Sequence, residues 1–207
     1  MGLFRKYVNQ TRKPEGFLGK MMILGMNSGH AGMADWGMEH LEGIAPETIV
    51  DLGCGGGRNA AELLRRYPAS TVTAIDYSSL SVEKARSLNS RAISEGRCRV
   101  FQNDVSRLTL DAGEYDLATA FETVYFWPGL EKCFAEVFKV LKQGGRFLIV
   151  NESDGMDETG RKFEKMIDGM KVYTAQEIEK ALRSAGFSSV RTDHHVRKPW
   201  IAVTATK

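Results

Sequence analysis

The chain has 207 residues, 43% hydrophobic and 26% charged, a balance that excludes a disordered, collagen-like or coiled-coil protein. One domain with an appendage fits this length, and about 70% of the unfolded surface can be buried without a metal or disulfide staple. Lys and Arg number 28 against 26 Asp and Glu; the balance of +2 marks no nucleic-acid footprint, and no apolar run approaches the ~18 residues of a membrane span.

Taken from the N-terminus, residues 1–45 read as a Met-rich helical stretch, expected as a lid on the domain formed by residues 46–207. Short runs rich in Val, Ile, Thr and Phe then alternate with helical patterns. Strands are predicted at 48–52, 71–76, 99–103, 115–121 and 146–151, and helices at 58–67, 79–93 and 130–141. Residues 104–114 carry no assignable pattern. Strand, helix, strand at this spacing means parallel pairing through right-handed crossovers, hence an open α/β sheet covered on both faces. Thr174-Ala175-Gln176-Glu177 is a capping box opening a helix to about Ala185, and Gly186 is placed to end it. The runs 188–193 and 201–206 are separated only by 194–200. That link is too short for a crossover helix, so these last strands are expected as antiparallel neighbours. Cys54, Cys98 and Cys133 are far apart with no C-x-x-C pair, and the N-terminus lacks the apolar stretch of a signal peptide. Both features point to free thiols in a soluble, cytoplasmic protein.

The strongest signal is Asp51-Leu52-Gly53-Cys54-Gly55-Gly56-Gly57-Arg58-Asn59, where a buried strand runs through a glycine-dense turn into a helix. Glycines permit positive φ and close backbone approach, and a helix N-terminus offers free N–H groups to an anion. Residues 55–60 also match G-x-G-x-x-A, with Asp76 21 residues after Gly55, so a dinucleotide-dependent NAD(P) oxidoreductase is weighed. Asp51 argues against it, because a carboxylate beside this turn repels a pyrophosphate but suits an ammonium; its alternative reading is a helix cap or loop tie. Asp76 closes the second strand, where it can accept from both ribose hydroxyls, with Tyr77 placed against an adenine face. Its alternative reading is the N-cap of the next helix, a task Ser78 can equally perform. Asp104 follows the third strand and can accept from an adenine amino group while Val105 packs nearby.

Three acids at successive strand ends beside this turn resemble the class I S-adenosylmethionine-dependent methyltransferases over roughly residues 46–207. The resemblance implies a Rossmann-like, mostly parallel seven-stranded sheet with an antiparallel last strand, helices on both faces and an N-terminal helical lid. It also implies that Asp51, Gly53, Gly55 and Gly57, with Cys54 and Asn59 in the same turn, hold the methionine part of S-adenosylmethionine. Asp76 and Tyr77 are then placed at the ribose and adenine, Asp104 and Val105 at the adenine, and Phe121 at the border of the cofactor. Residues 140–147 match the family's helix–turn–strand signature, with Gln143 where Pro is frequent. Residues 17–41, with Met26-Asn27-Ser28-Gly29-His30 and Trp36-Gly37, are similar to the N-terminal cap of quinone-biosynthesis-type C-methyltransferases, a similarity that transfers no substrate.

The reaction so implied is an in-line methyl transfer to a small-molecule acceptor, leaving S-adenosylhomocysteine. A base is needed only if the nucleophile must lose a proton. The turn after the fourth strand, Phe121-Glu122-Thr123-Val124-Tyr125-Phe126-Trp127-Pro128, lacks the Asn/Asp-Pro-Pro-aromatic motif of amide and adenine amino-group enzymes. Candidate acceptor-side residues are Tyr125, expected to face the pocket, with Phe126 and Trp127 beside it as wall or packing, and in the N-terminal cap Trp36 and His30, the latter as a base or a turn residue. Met22, Met26 and Met33 fit a helical stripe that packs either as core or as an adaptable cover. His194-His195 has no acid or Cys at ligand spacing, so no metal is expected. Arg5, Lys6, Arg12, Lys13 and Lys20 read as a solvated basic face. Alternatives are an RNA or protein methyltransferase and a non-catalytic cofactor-binding protein; no nucleic-acid partner is expected, and the oligomeric state is not encoded legibly.

Overall fold

The alternating runs become seven strands: β1 (Thr48–Leu52), β2 (Thr71–Asp76), β3 (Cys98–Gln102), β4 (Tyr115–Phe121), β5 (Leu141–Asn151), β6 (Ser188–His194) and β7 (Ile201–Thr206). In this computed structural model they form one sheet in the order β3-β2-β1-β4-β5-β7-β6. The structure describes residues 29–207 throughout and, before them, residues 9–12, 14–16, 19, 21, 22 and 25. The features at Arg5, Lys6, Lys13, Phe17, Lys20 and Met26-Asn27-Ser28 lie outside the described residues.

β1 pairs in parallel with β2 and β4, β2 with β3, and β4 with β5. β7 runs antiparallel between β5 and β6, as the short 194–200 link requires. The central strands are covered on both faces, which is why Ile49, Val50 and Leu52 form an apolar run rather than an alternation.

From Ala31 onward the α-helices are α1 (Ala31–Glu39), α2 (Arg58–Arg66), α3 (Ser79–Leu88), α4 (Ser90–Ser94), α5 (Leu130–Val140), α6 (Glu158–Met166) and α7 (Ala175–Ser184). One face of the sheet packs against Cys133, Phe134 and Val137 of α5 and Ile178 and Leu182 of α7. The other packs against Met33, Ala34 and Met38 of α1, Ala60 and Leu63 of α2, and Val82 and Ala85 of α3. Of the methionine stripe, Met22 and Met33 are buried. A Cβ added to Gly37 would meet Val150 Cγ2 at 2.4 Å, so the glycine lets α1 press directly onto β5. α1 is therefore part of the core.

Three details differ from the sequence expectation. The single helix at 79–93 breaks at Asn89, whose side chain donates to the carbonyls of Gly57 at 3.1 Å and Ala85 at 3.0 Å. That break spends one helix residue on fastening the glycine turn. β5 begins at Leu141, because the turn after α5 joins the ladder, with a register shift between Tyr115 and Leu117 on β4. α6 was not foreseen: Asp157 caps it by accepting from Gly160 N at 2.7 Å, but only Gly160 within it is buried. The Thr174 capping box forms as expected.

Candidate active site

A cavity of about 270 Å3 opens beyond the C-terminal ends of β1, β2 and β4. Strand order reverses between β1 and β4, and such a switch point diverges the following connections to leave a crevice. Gly53, Cys54, Gly55, Asn59, Asp76, Tyr77, Asp104, Val105, Phe121, His30 and Tyr125 all border it. Asp51 and Gly57 do not.

The glycine turn is pinned from behind. The N–H groups of Gly53 and Cys54 both donate to the Ile75 carbonyl at 2.8 Å. Gly53 has φ +75°, and a Cβ there would strike Thr123 Oγ1 at 2.1 Å. Gly57 has φ +82° and starts α2; a Cβ there would meet Asn89 Nδ2 at 2.6 Å and Ala85 Cα at 2.8 Å. Its smallness thus serves the packing of α2 on α3. A Cβ on Gly55, by contrast, would meet nothing within 4 Å. That glycine leaves its surroundings open for a ligand.

Asp51 lies behind the turn, 1% exposed. Oδ1 accepts from Thr119 Oγ1 at 2.9 Å, while the buried Oδ2 has no partner among the described residues. Burial raises its pKa to about 7, with the Asp76 charge adding to the rise and Thr119 opposing it. Asp76 accepts from Gly55 N at 2.9 Å and from Ser78 N at 2.8 Å. The N-cap of α3 is Ser78, whose hydroxyl accepts from Ser81 N, so Asp76 is free of that task. Burial pushes the Asp76 pKa upward, against the pull of its backbone donors. Asp104 is exposed and turns back to accept from Ser106 N at 2.8 Å. Tyr77 donates to the Arg12 carbonyl and Ser78 Oγ to the Pro14 carbonyl, which brings Thr11, Arg12 and Pro14 to the cavity beside Asp76.

The opposite wall comes from the turn after β4 and the start of α1. Tyr125, Phe126 and Trp127 all reach the cavity. Trp127 also stacks on Phe147 with ring centroids 6.3 Å apart, and its indole donates to Thr123 Oγ1 at 3.2 Å. Tyr125 is 3% exposed; its hydroxyl donates to Glu122 Oε1 at 3.1 Å and accepts from Ser153 N at 3.1 Å. Glu122 adopts φ +57°, an uncommon conformation for a residue with a side chain, and also accepts from Glu152 N. Burial raises its pKa to about 8; the Glu152 carboxylate adds to this, while the Glu152 N–H and Tyr125 donors oppose it. His30 occupies the N-cap position of α1, but its ring makes no capping bond. Nε2 instead lies 3.7 Å from Glu152 Oε2. Burial lowers the His30 pKa, opposed by Glu152.

Glu122 and Glu152 were missed in the sequence. The signal is their position: each acid directly follows a parallel strand, as Asp104 nearly does. Arg58 was passed over too. It borders the cavity and forks onto Asp35 of α1 at 2.6 and 2.8 Å, tying α2 to α1.

Residues 49–145 match the family model described as a methyltransferase domain. The chain is 29% identical over 159 residues to a malonyl-[acyl-carrier protein] O-methyltransferase of Geobacter sulfurreducens, covering 72% of this chain and 58% of that protein. It is 28% identical over 148 residues to a sterol 24-C-methyltransferase of Debaryomyces hansenii, covering 67% and 39%. The chain thus spans about half the length of the curated relatives it matches. A chain solved in complex with the Haloferax volcanii Trm112 methyltransferase activator superposes with a TM-score of 0.83 at 16% identity, covering 100% of this chain and 98% of that one. The domain match over residues 49–145, the methyltransferase relatives and the seven-stranded fold thus make the chain similar to the class I S-adenosylmethionine-dependent methyltransferases.

Proposed function

We propose that the protein transfers a methyl group from S-adenosylmethionine to a small-molecule acceptor. The observation that carries the cofactor reading is Asp51, a buried carboxylate with one unpartnered oxygen behind an open glycine turn. A buried carboxylate without a partner is costly, and a cationic ligand offsets that cost. Asp51 serves the ammonium of the amino acid part directly or through water, while the turn at Gly53, Cys54 and Gly55 lies against its methionine portion. Asp76 takes the ribose hydroxyls, Tyr77 and Val105 border the adenine, and Asp104 accepts from its amino group. Gly57 contributes by holding α2 close to α3.

S-adenosylmethionine supplies an electrophilic methyl group when bound. The chain's own task is to align an acceptor with it and keep water out. Phe121, Phe126 and Trp127 provide apolar wall for that purpose. Tyr125, Glu122 and His30 provide polar groups on the acceptor side, where a proton leaving a nucleophile can be held. Thr11, Arg12 and Pro14 cover the cavity at the Asp76 side. Cytoplasmic residence is part of this reading; among the described residues no helix is long and apolar enough to cross a membrane.

The deciding experiment is a calorimetric and thermal-shift panel with S-adenosylmethionine, S-adenosylhomocysteine, NAD and NADP. Saturable binding of the first two alone supports the proposal. Tight NAD or NADP binding without response to S-adenosylmethionine overturns it.

A further inference from the structure

His30, Glu122 and Glu152 come from three separate places: the start of α1, the turn after β4 and the end of β5. One ligand atom from each lies within 4.8 Å of the others. We infer that these three residues form a binding site for a divalent first-row transition-metal ion, such as Zn2+ or Mn2+, at the acceptor end of the cavity.

Four features support this. First, His30 Nε2 and Glu152 Oε2 are 3.7 Å apart, too far for a hydrogen bond. Two ligands each about 2.1 Å from one ion, at tetrahedral angles, are about 3.4 Å apart. The gap is therefore close to what a bridging ion needs. Second, the His30 ring has no hydrogen-bond partner among the described residues, so its nitrogens are not committed elsewhere. Third, two carboxylates face one another here, and among the described residues no Lys or Arg pairs with either. Fourth, the Tyr125 hydroxyl and the Glu152 N–H both donate to Glu122 Oε1, and among the described residues none donates to Oε2. Tyr125 thereby acts as the outer support that orients a ligating carboxylate.

The donor set, one imidazole nitrogen and two carboxylate oxygens, suits Zn2+ or Mn2+ better than Mg2+, which prefers oxygen ligands alone. Three protein ligands leave coordination positions for water or for an oxygen of the acceptor. His30 and Glu122 border the cavity, so those positions are accessible from it. This departs from the sequence expectation of no metal, which considered only His194-His195. The ion's role toward an acceptor rests on the methyltransferase reading; its binding does not.

The test is metal binding by the full chain, followed by calorimetry with Zn2+ and Mn2+, visible spectroscopy with Co2+ as probe, and elemental analysis after dialysis. One ion per chain is expected, with Co2+ bands of a nitrogen–oxygen site. His30→Ala and Glu152→Gln should each weaken binding by more than about tenfold, and Tyr125→Phe by about tenfold. Glu152 is half exposed, so its substitution tests the site even if the His30 variant folds poorly. S-adenosylhomocysteine affinity of Glu152→Gln should stay within about twofold of wild type, since the proposed cofactor acids Asp51, Asp76 and Asp104 lie at the ends of β1, β2 and β3. Absence of a saturable site, or unchanged affinity in both ligand variants, overturns the inference. Metal binding without S-adenosylhomocysteine binding would retain the site and reject the methyltransferase reading; the reverse would retain that reading alone.

Discussion

Asp51→Asn should make the ligand-free protein more stable while weakening the cofactor complex. Asp51 is 1% exposed, and its Oδ2 has no partner among the described residues. Its carboxyl pKa rises from 3.8 to about 7 in the fold. At ~1.36 kcal/mol per tenfold change in proton affinity, ionising it above pH 8 costs the native state about 4 kcal/mol. Asn keeps the oxygen that accepts from Thr119 but leaves an amide N–H unpaired, at a cost of ~1–3 kcal/mol. The net gain should be about 1–3 kcal/mol at pH 8, or about 2–4 °C in Tm per kcal/mol for a chain of this size. The sign of the pH dependence follows from the raised pKa. The carboxyl's contribution is fully present below about pH 4, where it is neutral in both states, and is lost as pH rises through about 7. Near pH 4 the wild type should therefore be the more stable by the ~1–3 kcal/mol of the unpaired amide, and the order should reverse as pH rises, the variant's advantage reaching its full size above pH 8. For binding, the lost charge-assisted contact should cost ~1.5–3 kcal/mol, about 10- to 150-fold in Kd for S-adenosylhomocysteine. Wild-type affinity should rise with pH up to about 7 and level off, because the ionised form receives the ammonium. Denaturant melts and calorimetry from pH 5 to 8.5 measure both effects. A variant no more stable than wild type at pH 8, or one with undiminished affinity, would refute the reasoning.

Asp76→Ala removes the acceptor of Gly55 N and Ser78 N together with the proposed ribose ligand; S-adenosylhomocysteine binding should weaken by more than about tenfold, as calorimetry on a variant with native circular dichroism will read. The two glycine substitutions should separate folding from binding. Gly57→Ala, with a Cβ at 2.8 Å from backbone at φ +82°, should destabilise by about 2 kcal/mol or more, whereas Gly55→Ala meets no protein atom and should cost only ~1–2 kcal/mol. Thermal melts paired with cofactor titration should show the larger affinity loss in Gly55→Ala, and a reversed order of melting temperatures would contradict this. Finally, Tyr77→Phe deletes the bond to the Arg12 carbonyl. Residues 9–14 should then become more sensitive to protease, and cofactor should protect them less than in wild type.

The sequence determined the sheet almost by itself. The apolar runs at 48–52, 71–76, 115–121 and 201–206 have the bounds of β1, β2, β4 and β7, because strands buried on both faces must be apolar throughout their length. The 194–200 link fixed the reversed strand by chain length alone. The strand-end acids and the glycine turn were legible for a related reason: Asp51, Asp76 and Asp104 each lie within two residues of the C-terminal end of a strand, so strand position sets their place in space. What local pattern did not contain was the division of labour among those residues. Gly55 and Gly57 are indistinguishable as letters, yet one borders the cavity and the other seats α2 on α3. Asn89 looks like a helix residue until its amide is found on the Gly57 carbonyl. The lid expectation met the same limit: α1 carries methionines suited to a cover, but Gly37 against Val150 presses it into the core. The grouping of His30, Glu122 and Glu152 also belongs to tertiary structure. Their separations of 92 and 30 residues in the chain are closed only when β4 and β5 pair in parallel and α1 packs across their ends, and a contact made by packing between distant segments leaves no period for a sequence to display.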